Sequence, residues 1–547
     1  MSQAETELAK ALEAYFISGK ADKALKSEFA PGVLLSIRHA YAQRIFKPVW
    51  TEAGAQNLTV SVRTLFEQGI VADKVFERDL KKVFKKRFKS KSAKKRAKAD
   101  LELTQAFFRA AQAVSGGLND EGGVAKATLR GPMRFNLTSA LIKAGQGEVQ
   151  AELAELEPLH PQYKALKSAL SEYRNIYAAG GWLAIPEGDA VELGESDARM
   201  PALKARLQAE GYMDSNSIMA TPLARLIAQT TVNAQAVSEK KVPSLEMDSE
   251  IHTALKVFQK RHGLEDDGVL GKNTILALNE SVESKIDRIA DTLTRWRQHG
   301  DMGERYIWAN TPSYTAEGWN QGQREISMRT VVGKARHATP VFSDTVEYVV
   351  ANPKWFVPVS ITRRQKLPKM RKDATYAESN NYAVFDRATG AEIDPLMVDW
   401  SQSDAASQYR FVQGPGEGNA MGEMKIIFPN QYSVYLHGSP SKSLFEKAQR
   451  AFSSGCVRLE DPARMAKWIA NGDEDFSPLD VKQALDADIR EKFVLDERLP
   501  VHITYFTVTA NEDGSVNFWR DVYSRDDGIS YVQKYAKPYT QTADLRR

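Results

Sequence analysis

Hydrophobic side chains recur every three to four residues through the first part of the chain, residues 1–190, among charged residues and many alanines. This spacing places the apolar residues on one face of a helix, so the segment is predicted to be a helical scaffold domain. From about residue 304 the period shortens to two, as in RYIWAN and DTVEYVVANP. Such alternation predicts strands with one buried face. The expected fold class is therefore multidomain α+β.

A small helical unit is predicted over residues 191–282. Within it Ile251 and Phe258 fall on one helical face. Asp248 or its neighbour is placed to cap the start of that helix, and Gly263 is placed to end it. The other predicted parts are a helical connector at 283–303, a β-rich domain at 304–510 with a polar cap or lid at about 362–400, and a C-terminal hairpin and tail at 511–547.

Charge is nearly balanced over the whole chain, with a formal net charge of +4, but it is concentrated in a basic stretch at 81–98. A solvated, highly charged segment is one interpretation of this stretch. The other is contact with a polyanion, namely an anionic envelope polymer, a membrane surface or nucleic acid. Val83, Phe84 and Phe88 interrupt the lysines at helical spacing, which also permits a short amphipathic surface helix.

The chain contains no apolar run long enough to span a bilayer, and its first residues lack the basic and apolar regions of a secretory signal. Two interpretations stay open: a cytoplasmic protein, or one whose signal was removed before this numbering begins. The single cysteine excludes disulfides within the chain and zinc sites built from several cysteines. No HExxH motif and no phosphate-binding glycine loop is present, so we expect no metal and no cofactor.

The candidate chemistry lies around Cys456, which follows Ser454 and Gly455. A cysteine nucleophile needs an imidazole to take its proton and backbone N–H groups to hold an oxyanion. His437, nineteen residues upstream, ends an alternating run, and a predicted short helix at 443–452 would return the chain to it. The backbone N–H groups of Gly455 and Cys456 are the candidate oxyanion donors. From the residues alone, an inert buried cysteine is an equally good interpretation, and His337 and His502 are more distant alternatives to His437.

Further candidates surround this pair. Arg458 is predicted either to bind a substrate carboxylate or, slightly favoured, to pair with Glu460 or Asp461. Tyr435 shares a strand face with His437, and Ser454 is chiefly a turn former; both are placed among the candidate substrate contacts with Arg458.

The strings HGSP and SSGCVR resemble the catalytic motif of the L,D-transpeptidases. The resemblance implies that Cys456 is acylated by a peptidoglycan stem peptide, that His437 is the base, and that the Gly438 carbonyl orients the imidazole. It also implies a groove position for Trp355 in NPKWFVP. Many members carry a second histidine where this chain has Ser454, so no role for such a histidine is carried over.

The remainder of the chain is similar to the large Gram-negative branch of the same family. ALKVFQKRHGLEDDGVLGKNTILALN resembles its small three-helix peptidoglycan-binding domain, here with an insertion at about 214–247. The branch implies a helical scaffold, a capped β-rich catalytic domain, a periplasmic location, 3-3 cross-linking of stem peptides and inhibition by carbapenem β-lactams. Alternatives are an L,D-carboxypeptidase or endopeptidase and a non-catalytic peptidoglycan-binding scaffold. A nucleic-acid binder is not expected, because no recognition fold is present.

Overall fold

The structure, a computed structural model, describes residues 2–26, 28–70, 79–116, 136–213, 244–373 and 375–526. The chain is helical as far as His299 and β-rich beyond it, which confirms the predicted multidomain α+β fold class. Within these ranges, every helix is too short or too polar to cross a membrane. Most of the predicted insertion and the tail from residue 527 lie outside the described residues.

One hydrophobic core unites the helices of the first part of the chain as far as Leu156, with Leu12, Trp50 and Phe108 almost fully buried in it, whereas the helix at Pro161–Ala178 belongs to a different core. The helices are α1 (Gln3–Ile17), α2 (Lys20–Leu25), α3 (Pro31–Gln43), α4 (Glu52–Thr64), α5 (Leu80–Lys89), α6 (Ala93–Gly116), α7 (Leu137–Lys143), α8 (Val149–Ala154) and α9 (Pro161–Ala178).

The basic stretch forms helix α5 and the first turns of α6, and its apolar side faces inward. Leu80 and Val83 are buried against the scaffold core, and Phe84 and Phe88 pack on it. The Arg87 guanidinium donates to Asp100 and to the Trp50 carbonyl inside that core. The prediction of an amphipathic surface helix is therefore corrected. The apolar face of α5 packs on the scaffold core, and only its lysines face solvent.

The small helical unit contains α10 (Met200–Ala209), α11 (Ser249–Arg261) and α12 (Lys272–Leu278) around its own core. Helix α11 begins after Asp248, whose carboxylate accepts from the Ile251 N–H at 2.8 Å, as predicted. It ends at Arg261, and Gly263 follows with a φ of +63°. The connector helix α13 (Val282–His299) leads from this unit, called the module below, to the β-rich domain.

A nine-stranded sheet forms the β-rich domain. Its strands are β1 (Arg305–Asn310), β2 (Thr315–Asn320), β3 (Gln323–Gly333), β4 (Phe342–Ala351), β9 (Met424–Ile427), β10 (Leu436–His437), β11 (Ala451–Ser453), β12 (Val457–Leu459) and β13 (Glu491–Thr504). They are arranged in the order β11-β3-β12-β10-β9-β4-β13-β1-β2, and because β2 also pairs with β3, the sheet closes on itself. Helices α18 (Pro462–Ala470) and α19 (Pro478–Asp486) follow β12.

The cap is a small domain with its own core, in which Trp355, Val384 and Phe411 are buried. Its four-stranded sheet runs in the order β5-β8-β6-β7. The elements are β5 (Trp355–Phe356), α14 (Val359–Ile361), α15 (Leu367–Met370), α16 (Tyr376–Ser379), β6 (Tyr382–Asp386), β7 (Glu392–Ile393), α17 (Ala405–Gln408) and β8 (Tyr409–Gln413). The cap thus extends beyond the predicted 362–400 at both ends.

The C-terminal hairpin pairs β14 (Val508–Ala510) with β15 (Val516–Phe518). The boundary predicted at 510 falls inside this hairpin. A second large core joins the hairpin to α9, to α13 and to the first strands of the barrel-like sheet, through residues such as Tyr163, Trp296 and Trp308. The scaffold and the β-rich domain are therefore packed on each other.

Candidate active site

Strand register brings three basic side chains into one row. The short strand β10 lies between β9 and β12, and His437 is directly opposite Lys425 on one side and Arg458 on the other. Side chains directly opposite each other project from the same face of a sheet. The imidazole of His437 therefore lies between two cations, and Cys456 comes immediately before β12.

The chain reaches Cys456 through a tight turn that Gly455 makes possible, since Gly455 has a φ of +124°. The Ser453 hydroxyl donates to the Cys456 carbonyl at 2.6 Å and accepts from the Gly455 N–H at 3.1 Å. The expectation that the Gly455 N–H holds the oxyanion is therefore corrected, because this N–H is already hydrogen-bonded within the turn. The Cys456 N–H makes no hydrogen bond to any residue that the structure describes, so it is the better oxyanion donor.

The thiol of Cys456 donates to the Ser433 carbonyl, with 3.8 Å between sulfur and oxygen, and no hydrogen bond joins it to His437. Burial raises the pKa of this thiol, while the Tyr435 backbone and the charges of Lys425 and Arg458 partly oppose that rise. At neutral pH the sulfur is therefore a thiol. The structure places Cys456 directly before the strand that pairs with that of His437, without direct contact between thiol and imidazole.

The Ser433 carbonyl is held in place by a strained loop. Ser433 has a φ of +52°, which is uncommon for a residue with a side chain. The Asn430 amide donates to the carbonyls of Phe428 and Val434, and its oxygen accepts from the N–H groups of Tyr432 and Val434. Asn430 thus fixes the chain that meets the thiol.

His437 is 3% exposed, and its pKa is lowered to about 3. Burial is the main cause, and the Arg458 charge adds to it; the backbone of Gly438 and of Met421 acts in the opposite direction. The imidazole is therefore neutral. Its Nδ1 forms no hydrogen bond within the described part of the chain, so the Gly438 carbonyl influences the ring without a well-formed hydrogen bond.

The expected pairing of Arg458 with a neighbouring carboxylate is wrong. Glu460 accepts from the Arg329 side chain at 3.0 Å, and Asp461 accepts from the Arg464 N–H to cap α18. Among the described residues Arg458 has no ion-pair partner, and its Nε is buried without a hydrogen bond. Its guanidinium is thus available to an anion near Cys456.

Tyr435 lies where the cap, the barrel-like sheet and Cys456 meet. The ring packs partly on both cores, and its centroid is 5.6 Å from that of His437. The Lys425 ammonium lies 3.7 Å from the same ring centroid, a cation–π contact. Burial raises the pKa of Tyr435, and the Cys456 thiol beside it acts in the same direction.

The other predicted contacts are less direct. Trp355 is 8% exposed and belongs to the cap core, so it supports the cap rather than forming an open groove wall. Ser454 is exposed at the tip of the turn. Both ring nitrogens of His502 are engaged, with Ser343 and with the Met302 carbonyl, whereas His337 contacts Arg364 at 3.5 Å.

The segment predicted as a short helix, 443–452, is not one. A 3-10 turn covers Lys442–Glu446, and the chain then runs extended into β11. Arg450 causes this, because its guanidinium donates to the carbonyls of Thr330, Lys447 and Tyr314 and so holds the segment along β3.

Sequence reasoning missed Lys425 and Asn430. The signal for Lys425 is its position in the alternating run MKII, but only the register of β9 against β10 places it beside His437. In the described ranges no group of three or more His, Cys, Asp or Glu side chains is arranged to hold a metal ion.

Three parts of the chain match family models. Residues 304–481 match the L,D-transpeptidase catalytic domain, residues 36–170 match a scaffold domain, and residues 238–278 match the model described as "Putative peptidoglycan binding domain". A curated protein of Haemophilus influenzae, "Putative L,D-transpeptidase", is 30% identical over 237 residues. That match covers 42% of this chain and 46% of the relative, so the chain spans about half the length of the relative it matches.

Solved structures with similarity to the chain include an L,D-transpeptidase from Mycobacterium smegmatis, at 15% identity and a TM-score of 0.16, covering 37% of this chain and 58% of that one. An L,D-transpeptidase from Stackebrandtia nassauensis is 13% identical with a TM-score of 0.21, covering 61% of this chain and 98% of that one. A third, an L,D-transpeptidase in complex with imipenem, is 16% identical with a TM-score of 0.16, covering 37% and 59%.

Proposed function

We propose that this chain is an L,D-transpeptidase that forms 3-3 cross-links between peptidoglycan stem peptides through a thioester on Cys456, and the match of residues 304–481 to the L,D-transpeptidase catalytic domain supports the proposal. The observation that carries the proposal is the strand register that sets Cys456 beside His437, with Lys425 and Arg458 on either side of the imidazole. An inert buried cysteine would not require a histidine and two basic side chains on the neighbouring strands.

In the first half-reaction the Cys456 sulfur attacks the stem carbonyl next to the terminal D-amino acid, and His437 takes the thiol proton. The Cys456 N–H holds the oxyanion that forms. The C–N bond then breaks, His437 protonates the departing amine, and a thioester is left. In the second half-reaction the amine of an acceptor stem attacks the thioester, His437 takes its proton, and the thiol is restored.

The resting pair is neutral in this mechanism, because the pKa of His437 is lowered to about 3 and that of the Cys456 thiol is raised. The imidazole therefore acts as a general base rather than as half of a preformed ion pair. We propose that substrate binding moves the sulfur from the Ser433 carbonyl to the imidazole. The Gly438 carbonyl then orients the ring, once the Nδ1 proton is directed toward it.

We assign Arg458 to a substrate carboxylate, since both acidic neighbours are engaged elsewhere. Stem peptides end in a carboxylate, and a guanidinium binds such a group through two parallel hydrogen bonds. Lys425 supplies a second positive charge on the other side of His437, and Tyr435 forms the wall between the nucleophile and the cap.

Two wider assignments accompany this function. The proposed substrate and the match of residues 238–278 to a peptidoglycan-binding domain support a periplasmic location. The nine exposed lysines of the basic stretch contact an anionic envelope polymer; they are Lys81, Lys82, Lys85, Lys86, Lys89, Lys91, Lys94, Lys95 and Lys98. Their density favours a polyanion that is bound through charge alone, and such binding would weaken with salt.

Incubation of the full chain with a disaccharide-tetrapeptide, followed by mass analysis of the products, tests the proposal. We expect a cross-linked dimer with loss of one D-amino acid from the parent protein, and no dimer from Cys456→Ala or His437→Ala. Tripeptide without dimer would show that water is the acceptor and would make the protein an L,D-carboxypeptidase. An unchanged substrate with correctly folded parent protein would contradict the proposal.

A further inference from the structure

A cavity of about 600 Å³ lies where the module meets the β-rich domain. Lys272 and Asn273, at the start of α12, line it on the module side. Lys447, Gln449 and Phe452 line it on the side of the segment that leads to the nucleophile. We refer to this cavity as the shared groove. Neither domain alone would form it.

Both walls of the shared groove are rigidly held. On the module side the buried Gln259 amide donates to Asp267, to the Val269 carbonyl and to Thr274 at 2.8–3.1 Å. Across the junction the Glu265 carboxylate accepts from the Ala448 N–H at 3.0 Å. On the catalytic side Arg450 fixes the extended segment onto β3. A ligand that enters the groove therefore meets a preformed surface.

The polar groups that face the groove differ in their availability. Asp267 and Glu265 are engaged by Gln259 and by Ala448. Lys272 and Lys447 are exposed and have no ion-pair partner in the described part of the chain. Phe452 is 40% exposed, with the Lys447 ammonium 5.4 Å from its ring centroid. The groups available to a ligand are therefore the Phe452 ring, the side-chain amides of Asn273 and Gln449, and the ammonium groups of the two lysines.

This combination fits a sugar chain that carries carboxylates. An exposed aromatic ring offers an apolar face to a pyranose, amide side chains bond to hydroxyl and acetamido groups, and the ammonium groups attract carboxylates. A peptidoglycan strand has all of these features, since its amino sugars bear stem peptides with free carboxylates. Neutral glycans would leave the two lysines without a partner.

One wall of the shared groove leads along the backbone into the catalytic turn. Phe452 lies in β11, four residues before Cys456, and the next residue, Ser453, holds the turn through its hydroxyl. A strand held against Phe452 is therefore held at a set position relative to the nucleophile. Positioning of this kind lowers the entropic cost of bringing a reacting group to its site.

We propose that the shared groove binds the peptidoglycan strand whose stem peptide enters the active site, so that the module and the catalytic domain hold one ligand between them. The proposal rests on the proposed function for the identity of the polymer. It assigns the module a task in catalysis on polymeric substrate, beyond attachment to the wall.

Sedimentation of the full chain with purified Gram-negative sacculi measures this binding. We expect Lys272→Glu on one wall and Phe452→Ala on the other each to weaken the affinity about tenfold or more, as central contacts of an interface do. Phe452→Tyr keeps an aromatic face and should bind like the parent. Lys256→Glu, an exposed site on α11 outside the groove, is the matched control for charge reversal.

Acylation of Lys272→Glu by a carbapenem, followed by intact mass, separates this proposal from the proposed function. We expect acylation at the parent rate, because a small acylating agent has no strand to place in the groove. If Lys272→Glu and Phe452→Ala both bind sacculi as tightly as the parent, the proposal for the shared groove is overturned. The same holds if only Phe452→Ala loses affinity for sacculi. A parent protein that binds sacculi through the groove but is never acylated would instead contradict the proposed function.

Discussion

The imidazole of His437 lies between Lys425 and Arg458 on neighbouring strands, and this row sets the chemistry of the site. The two positive charges favour the neutral imidazole and the anionic form of any nearby sulfur. Burial acts against the thiolate, so the resting thiol keeps its proton. The cations become most effective when negative charge develops on the sulfur or on the oxyanion during reaction.

Lys425→Met tests the influence of this row on the thiol. The variant keeps much of the side-chain volume beside Tyr435 but removes the charge that helps to lower the pKa of Cys456. We expect alkylation of Cys456 by iodoacetamide at pH 8 to slow about fivefold, the effect of a charge–charge interaction of about 1 kcal/mol.

Lys354→Met, at an exposed position before the cap, is the matched control and should react like the parent protein. Rescue by Lys425→Arg, which restores the charge, is also expected. An alkylation rate in Lys425→Met equal to that of the control would show that Lys425 has no electrostatic role at the nucleophile.

Gly422 packs closely against the backbone of Gly438, the residue that follows His437. A Cβ at this position would lie 2.7 Å from the backbone of Gly438, and Gly422 also has a φ of +64°. We expect Gly422→Ala to lower the free energy of unfolding by about 3 kcal/mol, from strain and overpacking together. Displacement of Gly438 should also slow acylation of Cys456.

Gly418→Ala, in the same loop, would meet nothing within 4 Å and provides the comparison. Thermal unfolding and intact-mass kinetics of the two variants measure both effects. Equal stability and equal acylation of the two would contradict the supporting contact.

Cys456, His437 and Arg458 could be identified from the sequence because they lie in two short motifs. Lys425 and Asn430 could not, because they reach the site only through strand register and through loop hydrogen bonds. The pairing of Arg458 with Glu460 or Asp461 was predicted wrongly for a related reason. The residues that engage its acidic neighbours include Arg329, which is more than a hundred positions away in the chain.

At the scale of elements, the basic helix α5 shows how periodicity can be right while its interpretation is wrong. The spacing of Leu80, Val83 and Phe84 does mark one helical face. The partner of that face is helix α6 rather than a membrane, and the Arg87–Asp100 ion pair lies in the same interface. Sequence alone does not reveal which surface covers an apolar face.

Arg87→Ala tests whether α5 is a structural part of the scaffold. Removal of the guanidinium would leave the Asp100 carboxylate, which is fully buried, without its charged partner. Breaking a buried ion pair in this way costs about 3 kcal/mol or more. We expect a clear fall in the midpoint of thermal unfolding, whereas Lys85→Ala, two residues earlier and exposed to solvent, should change it little. Equal midpoints would mean that α5 is not packed as described.

In the segment between His437 and Cys456 the predicted helix itself is wrong. Its composition is compatible with a helix, yet only Lys442–Glu446 form a 3-10 turn, and the Arg450 guanidinium ties the rest of the segment to the carbonyls of Thr330 and Tyr314. A tertiary contact of this kind overrides local propensity.

At the scale of the whole molecule, a buried ionic cluster joins the module to the connector helix. Glu210 of the module pairs with Arg206 and with Lys285 of α13, and His262 lies 2.9 Å from the Lys285 ammonium. All four side chains are at most 5% exposed. The pKa of Glu210 is lowered to about 2: its two cationic partners outweigh burial, which acts in the opposite direction. The module is therefore fixed to the rest of the chain, as the shared groove requires.

This burial makes the folded protein sensitive to acid. The pKa values of His160 and His437 are lowered to about 3, and that of His262 is lowered as well, mainly by burial. In the unfolded chain a histidine titrates near 6.5, so below that pH the unfolded state binds more protons. Stability is thus full above about pH 6.5 and falls toward pH 3, by about 1.4 kcal/mol per pH unit for each histidine.

Thermal unfolding midpoints between pH 7.5 and 4.5 measure this loss. His160→Gln should reduce the dependence on pH, and His39→Gln, at an exposed position, should leave it unchanged. A midpoint that does not fall between pH 6.5 and 4.5 would contradict the neutral, buried state of these histidines.

The division into a helical first part and a β-rich second part was predictable, because the hydrophobic period shortens to two at about residue 304, whereas the module was recognised through its family resemblance. The way in which these parts pack was not. The closed sheet, the core shared by α9, α13 and the hairpin, and the groove between module and catalytic segment all depend on contacts between residues far apart in the chain.

The central claim is that Cys456 is a nucleophile activated by His437. Intact mass of the full chain after incubation with a carbapenem tests it most directly, beside Cys456→Ala and His437→Ala. We predict one covalent adduct on the parent protein, none on Cys456→Ala, and an adduct on His437→Ala that forms at least about a hundredfold more slowly. An unmodified, folded parent protein, or an adduct that persists in Cys456→Ala, would contradict the account.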